Sequence, residues 1–344
     1  MINFSINKTL FLQALNTTKR AISSKNAIPI LSTIKIDVTP EGVALSGSNG
    51  QISIENFISI KDENAGLLVT SPGSILLEAT FFINVVSSLP DVTLDFKEIE
   101  QKQVLLTSGK SEITLKGKDA DQYPRIQEIA ASNPLVLETK LLKQLINETA
   151  FAASVQESRP ILTGVHFVLS DNKELKTVAT DSHRMSQKVI TLEKNGDNFD
   201  VVIPSRSLRE FTSVFSDDIE TVEVFFANNQ ILFRSEHISF YTRLLEGNYP
   251  DTDRLIPTEF KNGVVSSHVH SPEVGRVNEE IDTSAVSGED LSISFNPTYL
   301  IEALKAIDSE QVVIRFISSV RPFTLVPEGN EQGFIQLITP VRTN

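Results

Sequence analysis

The residue types best suited to chemistry stand together in the run Thr180-Asp181-Ser182-His183-Arg184-Met185. A serine, a histidine and an aspartate could form a nucleophilic set, in which the histidine takes the serine proton and the carboxylate orients the histidine. Such a set requires hydrogen bonds between the three side chains, whereas consecutive residues of a strand or turn point in different directions. We therefore expect Asp181, Ser182 and His183 to have no catalytic role.

A second candidate is a metal site at His268 and His270. Separated by a single residue, they share one face if the segment is a strand, as two metal ligands would. No third ligand is evident nearby, so we expect a solvated or interdomain pair and no metal. The chain also contains neither a G-x-x-x-x-G-K-[ST] run nor a G-x-G-x-x-G run, and we expect no nucleotide or other cofactor.

Composition places the chain among globular proteins. It has 344 residues, of which 40% are hydrophobic and 22% charged, enough for two or three domains with their own cores. There is no cysteine, which excludes disulfides and thiolate metal sites and fits a reducing cytoplasm. The sequence shows no secretory signal at its start and no apolar run long enough to span a bilayer, so we expect a cytoplasmic location and no membrane.

The net charge of −13 argues, taken alone, against a nucleic-acid partner. Net charge describes the average field of a protein, however, and not the local distribution of its charges. A modestly basic surface within an acidic protein is compatible with this value, so it excludes neither reading.

Internal similarity organises the chain. One constant offset carries Leu10-Phe11 onto Leu141-Leu142, and carries Pro29-Ile30-Leu31 onto Pro160-Ile161-Leu162. A second, slightly shorter offset carries Tyr123-Pro124 onto Tyr249-Pro250. Matches over such distances are too long for a solenoid and indicate a duplicated domain.

Each copy has the same predicted elements. An amphipathic helix at Leu10–Thr18 precedes Pro29, which stops any helical continuation, and alternating strands such as Ile34–Val38 follow. A second helix runs from Phe81 to Leu89, and its counterpart from Leu208 to Phe215; further strands close each copy. The pattern predicts an α+β fold, in which each domain combines two helices with about eight antiparallel strands.

A third copy begins near Pro257 but is short. Its second helix, at Tyr299-Leu300, follows Ser207-Leu208 much more closely than Leu208 follows Phe82 in the first two copies. The shortfall falls near Phe260-Lys261, where the first helix and its flanking strands should lie. Either the third domain has lost this element or a segment is missing from the sequence; we favour the second, because the remaining strands would expose an apolar face.

Four ordered motifs resemble the bacterial β sliding clamps, the processivity subunits of the replicative DNA polymerase. The Thr180–Met185 run resembles the family's Thr-Asp-Gly-His-Arg-Leu stretch. The other three are Glu246-Gly247-Asn248-Tyr249-Pro250, Phe295-Asn296-Pro297-Thr298-Tyr299-Leu300 and Leu337-Ile338-Thr339-Pro340-Val341-Arg342. The likeness covers the whole chain except the gap. Two departures, Ser182 in place of a glycine and the additional Thr343-Asn344, fall at the family's peptide pocket and bear on its affinity.

The resemblance implies a non-catalytic function. It implies a DNA clamp fold with domains at residues 1–127, 128–257 and 258–344, the third lacking its first helix and flanking strands. Two such chains form a ring-shaped homodimer around double-stranded DNA. The implied partners are the replicative DNA polymerase, a clamp loader, and repair and mismatch-repair proteins.

The resemblance also implies the site residues. A hydrophobic groove between the second and third domains binds partner peptides, and its walls are Leu162, Thr180, His183, Arg184, Met185, Pro250, Arg254, Leu255, Asn296, Tyr299, Pro340, Val341 and Arg342. Lys25, Gln156 and Arg206 match DNA-contacting positions, and Ile113 and Leu115 lie at the dimer interface. Basic residues on or beside the first helices would line the pore, although a solvated helix face explains any one of them equally well: Lys8, Lys19, Arg20, Lys140 and Lys143.

Two other functions stay open at this point. A repeat-built scaffold could bind proteins without ever binding DNA, and an enzyme could act at the groove. Retention on circular DNA separates a clamp from a scaffold, and turnover that is lost in His183→Ala would be needed to support an enzyme.

Overall fold

A computed structural model describes residues 1–23, 28–126, 129, 133–171, 173–193, 196–227, 229–256, 266–271, 275–280, 291–330 and 333–341. These residues form two units. Unit 1 contains residues 1–142 and 209–244, and unit 2 contains residues 143–208 and 245–344. The chain is α+β, as the sequence predicts.

The described residues form five α-helices, namely α1 (Lys8–Lys19), α2 (Ala79–Ser88), α3 (Thr139–Thr149), α4 (Ser205–Val214) and α5 (Pro297–Lys305). The strands of the first copy are β1 (Asn3–Asn7), β2 (Thr33–Thr39), β3 (Gly42–Ser48), β4 (Ile52–Ser59), β5 (Leu68–Ser71), β6 (Gly73–Glu78), β7 (Thr93–Ile99), β8 (Gln103–Ser108), β9 (Ser111–Lys116) and β10 (Lys118–Asp119). Those of the second copy are β11 (Leu135–Glu138), β12 (Gly164–Ser170), β13 (Glu174–Thr180), β14 (Arg184–Thr191), β15 (Phe199–Pro204), β16 (Thr221–Phe226), β17 (Gln230–Arg234) and β18 (Ile238–Arg243). After these come β19 (Ser266–Ser271), β20 (Gly275–Glu280), β21 (Val312–Arg315), β22 (Phe323–Pro327) and β23 (Phe334–Ile338).

The duplication predicted from the sequence offsets is present in the strand pairing. In the first copy β2, β3 and β4 form a meander, β6 pairs with β2, and β1 pairs with β7 at the start of the meander β7-β8-β9. The second copy repeats each of these pairings with β12-β13-β14, β15, β11 and β16-β17-β18. In the third, β21-β22-β23 follow α5 as β7-β8-β9 follow α2.

Consecutive copies are joined edge to edge. In unit 1, β18 of the second copy pairs antiparallel with β4 of the first, with Phe240 opposite Ile54. In unit 2, β23 pairs in the same way with β14, with Gln336 opposite Ser186. The last strand of each later copy therefore extends the first meander of the copy before it. Their counterpart in the first copy, β9, ends its five-stranded sheet and pairs within the described residues only with β8.

The first copy owes its core to phenylalanines that face one another across helix and sheet. Asn7 caps α1, its Oδ1 accepting from the backbone N–H of Thr9 and Leu10. This places Phe11 edge-on against Phe4 and Phe82, with ring centroids 5.9 and 6.1 Å apart. All three rings are buried.

The two prolines after the first helices do more than end a helix. Pro29 and Pro160 each open a short 3-10 helix, Pro29–Ser32 and Pro160–Thr163. Proline suits this first position because its fixed φ matches the helix and its missing N–H would have had no helical partner.

The third copy has a sparser core than the first. In α2 five residues are buried, whereas in α5 Ala303 alone is buried. Ile301 and Leu304 are 52% and 40% exposed, and every residue of β21 is only half-buried. The predicted gap at Phe260-Lys261, where a covering helix should lie, falls outside the described residues.

Candidate partner-binding site and interfaces

The loop between β13 and β14 is held by Asp181. Its Oδ1 accepts from the backbone N–H groups of His183 (2.9 Å) and Arg184 (3.0 Å), and the hydroxyl of Thr180 donates to the Arg184 carbonyl (2.6 Å). Ser182 stands at the tip with φ of 79°, a left-handed conformation that favours glycine. The loop is therefore a tight turn built by local polar contacts.

Arg184 is the most heavily engaged side chain of this region. Its Nε donates to Asp181 (3.0 Å), its Nη1 to Glu302 on α5, and its Nη2 to the carbonyl of Phe151 (2.7 Å). The guanidinium also lies over the Tyr299 ring, 4.6 Å from its centroid. Since its hydrogen bonds go to three separate segments, Arg184 positions the loop and α5 and has little freedom to reach a partner.

Beneath the loop lies a small apolar cluster of Val178, Met185 and Leu337, with Tyr249 and Ile256 packed against it. The Tyr249 hydroxyl accepts from the backbone N–H of Thr180 (3.0 Å). Burial raises the pKa of this phenol above its usual range, so the group stays neutral at physiological pH. Tyr123, its counterpart by the second offset, lies beside the Ser48 backbone, and burial raises its pKa too.

The predicted groove residues differ in exposure. Leu162, Thr180 and Met185 are buried. Arg184, Pro250, Asn296, Tyr299 and Pro340 are half-buried, while His183, Arg254, Leu255 and Val341 are exposed. All twelve lie in unit 2; Arg342 lies outside the described residues.

Two of the exposed residues are apolar. Leu255 and Val341 are 47% and 52% exposed, although both are apolar. Val341 is held in place by its backbone N–H, which donates to the Ser294 carbonyl (2.7 Å). Arg254 pairs with Asp251 (2.8 Å). The exposed residues of the predicted site therefore combine apolar surface with polar groups, a composition that suits an extended peptide with apolar anchors.

The side chains of the Asp181-Ser182-His183 run are used structurally. Asp181 serves the turn and Arg184, and the Ser182 hydroxyl accepts from Nη1 of Arg159 (3.0 Å). No hydrogen bond between described residues joins Ser182 to His183. His268 and His270 do lie in a strand, β19, opposite Asn278 and Arg276. Across the described part of the chain no group of three or more His, Asp or Glu side chains could hold a metal ion.

Two of the three predicted DNA-contacting residues belong to the described part of the chain. Gln156 is exposed in the loop after α3, and Arg206 is exposed in the first turn of α4; Lys25 lies outside the described residues. Of the basic residues beside the first helices, Lys8 donates to the carbonyl of Leu89 (2.5 Å) and Arg20 pairs with Glu210 (3.3 Å). These two have structural partners.

The predicted interface residues lie on β9. Ile113 is half-buried, whereas Leu115 is buried in the core of the first copy. A contribution of Leu115 to an interface would come from its backbone, at the open edge of the sheet.

Sequence reasoning missed the residues that position Arg184 and its loop. Glu302 and Phe151 lie 118 and 33 residues from Arg184 along the chain, and only folding brings them into contact with it. The same holds for Arg159, which donates to Ser182 although the strands β12 and β13 lie between them along the chain. One signal was available, because Glu302 stands one helical turn after Tyr299, a spacing that places two side chains on one face.

Duplicated α+β copies, joined by pairing the last strand of one with the first meander of another, define the class of DNA clamp folds. Family models of the DNA polymerase III beta subunit match its N-terminal domain at residues 2–127, its central domain at 136–251 and its C-terminal domain at 249–342. The chain belongs to this family, the bacterial β sliding clamps. Its members are processivity factors of DNA polymerase III and are not themselves catalytic.

The relatives cover the chain from end to end. The beta sliding clamp of Streptococcus pneumoniae is 75% identical over 378 aligned positions, which cover 100% of both chains. That alignment is longer than the 344 residues present here. The crystal structure of the S. pneumoniae DNA polymerase III beta chain matches with a TM-score of 0.98, at 75% identity and full coverage of both chains. That of the beta subunit from Streptococcus pyogenes matches at 0.95, with 65% identity, over 99% of this chain and 100% of the other.

No described helix is long and apolar enough to cross a membrane.

Proposed function

We propose that two copies of this chain close head to tail into a ring around double-stranded DNA and hold replication proteins there. The observation that carries this proposal is the open edge of β9. Its counterparts β18 and β23 are both paired, with β4 and β14. The third copy's counterpart of β4 and β14 is β20, which pairs within the described residues only with β19. Pairing β9 of one copy with β20 of another would satisfy both edges by a rule the chain already uses twice.

DNA retention in this proposal is topological. Lys25, Gln156 and Arg206 supply weak, sequence-independent contacts to phosphate groups, because tight contacts would prevent sliding. The net charge of −13 supports a mechanism that relies on linkage more than on affinity. Since the sequence contains no nucleotide-binding motif, a separate clamp loader opens the ring. The protein acts in the cytoplasm.

Partner proteins bind the groove in unit 2. Leu255 and Val341 supply exposed apolar contacts, and the buried Met185 and Leu162 shape the floor beneath them. The occupants are peptides of the replicative polymerase, the loader, and repair and mismatch-repair proteins. Each partner is thereby held at high effective concentration beside the template.

The domain boundaries belong to the same proposal: residues 1–127, 128–257 and 258–344. The third domain lacks a segment near Phe260-Lys261. Two observations support this, namely the shortened spacing between the second helices and the 378 positions aligned with the S. pneumoniae relative. Intact mass of the purified protein tests whether the shortfall is real.

The decisive experiment compares circular and linear DNA. With a loader and ATP, the chain should stay on a circular duplex through gel filtration and leave it after a single cut. A chain that remains bound after linearisation holds DNA by affinity. One that is never retained on the circle is a protein-binding scaffold, the second candidate function.

The two surfaces are separated by substitution. Leu255→Ala or Met185→Ala should weaken a fluorescent Leu/Phe-containing partner peptide by about 1–2 kcal/mol and leave DNA retention unchanged. Lys25→Ala with Arg206→Ala should lower salt-sensitive DNA contact without changing peptide affinity. Normal peptide binding in the groove variants would refute the groove assignment.

A further inference from the structure

A cleft of about 520 Å³ opens within unit 1, between α1 and segments that follow β4, α4 and β17. Its volume lies in the range of small-ligand sites, about 300–1,000 Å³. Apolar residues line part of it, including Leu10, Ile58 and Ile238. Four acidic residues also line the cleft, namely Asp62, Asp218, Glu220 and Glu236. The lining contains no lysine or arginine.

One buried polar group faces this cleft without a partner. Asn56 is 9% exposed and lines the cleft from the face of β4 that it shares with Ile54 and Ile58, towards α1. Its carboxamide makes no hydrogen bond to any residue that the structure describes. Its polar atoms keep some contact with solvent, so a ligand donor that enters the cleft can reach the carboxamide oxygen.

The second copy shows which group occupies the position equivalent to Asn56. Cross-strand partners run Ile36–Leu45–Asn56–Ile238 in the first copy. They run Phe167–Thr177–Lys188–Phe334 in the second, so Lys188 is the counterpart of Asn56. By the offset that carries Leu10 onto Leu141, Glu148 is the counterpart of Thr17, which also lines the cleft.

In that second copy the place is filled by an ammonium group. The Nζ of Lys188 lies 2.9 Å from Oε2 of Glu148 and 4.9 Å from the centroid of the Phe334 ring, and both charged side chains are almost fully buried. In the first copy Asn56 and Thr17 replace this pair. The apolar residue opposite remains, as Ile238, and the lining contributes carboxylates but neither lysine nor arginine.

We propose that this cleft binds an alkylammonium ligand, a linear polyamine. One ammonium donates to Asn56 where Lys188 stands in the second copy, the methylene chain packs on Leu10, Ile58 and Ile238, and the next ammonium reaches the carboxylates of Asp62 and Glu220. A single metal ion is a poorer occupant, since the described residues bring no three acidic or histidine side chains into a coordinating group.

The test is calorimetric titration of the full chain with spermidine at about 0.15 M salt, where loose charge attraction is screened. We expect one saturable site per chain. Asp62→Asn with Glu220→Gln should weaken it by about tenfold or more, because two charges are lost. Asp62→Asn keeps the oxygen that accepts from the Asn64 backbone N–H, so the local turn is retained.

The matched control is Glu63→Gln with Glu174→Gln, which removes the same charge from exposed positions outside the cleft. Spermidine affinity there should stay within about twofold of the parent chain's. Equal weakening in both double variants would mean diffuse attraction to an acidic protein and would overturn the proposal.

A second variant rebuilds the pair of the second copy. Thr17→Glu with Asn56→Lys should supply an internal ammonium and abolish spermidine binding. Undiminished binding in this variant would place the ligand elsewhere.

A lysine side chain of a protein partner could supply the same ammonium group. Nα-acetyl-lysinamide, which presents one ammonium on such a side chain, should bind at least about tenfold more weakly than spermidine. Equal affinity would assign the cleft to a lysine of a protein partner and refute the polyamine.

Discussion

At the scale of single residues, the backbone geometry at Ser182 explains why the family pattern has glycine at this position. The family has glycine there, and the structure gives Ser182 a φ of 79°. A side chain in the left-handed region costs on the order of 1 kcal/mol, which glycine avoids. A hydrogen bond offsets part of this conformational cost, because the Ser182 hydroxyl accepts from Arg159.

Ser182→Gly should stabilise the protein by about 0.5–1 kcal/mol, as relief of backbone strain exceeds the loss of one exposed hydrogen bond. Thermal unfolding measures this effect. Ser182→Ala is the matched control, since it removes the same hydroxyl but keeps the β-carbon, and it should not stabilise. A glycine variant no more stable than the alanine variant would show that the turn carries no strain.

Tyr249 predicts an alkaline limit to stability. Burial raises the pKa of its phenol from the ordinary value of 10.0, so the folded state disfavours the phenolate. The unfolded chain loses its proton first, and folding stability therefore falls as the pH rises above about 10. Melting temperatures between pH 8 and 11 should decline more gently in Tyr249→Phe. An unchanged slope would assign the decline to other groups, of which Tyr123 is the first to test.

At the scale of elements, the buried Glu148–Lys188 pair fastens α3 to β14. The hydroxyl of Ser186 donates to the Glu148 carbonyl (2.5 Å), which reinforces the same junction. A buried pair of this kind adds little net stability over an apolar substitute, but removing one partner leaves a buried charge without compensation.

Lys188→Met should therefore destabilise the protein by about 3 kcal/mol, as urea unfolding would measure. Adding Glu148→Gln to Lys188→Met should recover most of the loss, because the uncompensated charge is removed. Recovery in the double variant distinguishes a charge effect from lost packing of the lysine stem on Phe334, which the second substitution cannot restore.

The β9 edge gives a prediction about assembly. Ile113→Asp places a charge on the half-buried face of the open strand and should shift a dimer towards monomers by about tenfold or more in dissociation constant. Sedimentation velocity across a concentration series measures this. Val92→Asp is the control, because it charges an exposed apolar residue outside β9. If both variants dimerise like the parent chain, β9 is not the interface.

The elements were predictable because their signals are local. Alternation of apolar residues located β2, and helical spacing located α1, α2 and α4. Pairing between copies was not predictable in this way. The strands β4 and β18 lie in different copies, far apart along the chain, and the residues of neither strand specify which strand it pairs with. The engagement of Arg184 and the cleft at Asn56 have the same origin: each is produced by segments that meet only after the sheets have formed.

At the scale of the whole molecule, the described residues of the third copy are less well buried than those of the first. Its helix α5 exposes Ile301 and Leu304, and β21 has no fully buried residue. In the first copy the corresponding surface is covered by α1, which packs against α2. The difference follows from the proposed shortfall in the third domain.

Restoring that segment should stabilise the chain. Insertion between Phe260 and Lys261 of the residues that the S. pneumoniae relative has at the gap should bury Ile301 and Leu304, worth about 1–2 kcal/mol in total. The melting temperature should rise by about 1–3 °C, and binding of a hydrophobic dye should fall. An insertion of equal length rich in glycine and serine is the control. Equal behaviour of the two insertions would mean that the third copy is already complete as it stands.

The open edge of β9 has a consequence for any cell that also makes a full-length relative. In the proposed ring each subunit pairs through β9 at one end and through β20 at the other, so the two ends are not equivalent. A variant with an intact β9 and a β20 edge blocked by substitution would pair at one end and not at the other. Mixed with complete subunits, it would cap their assembly and leave circles unclosed. Such a variant would interfere with replication in proportion to its share of the subunit pool, even in the presence of complete subunits.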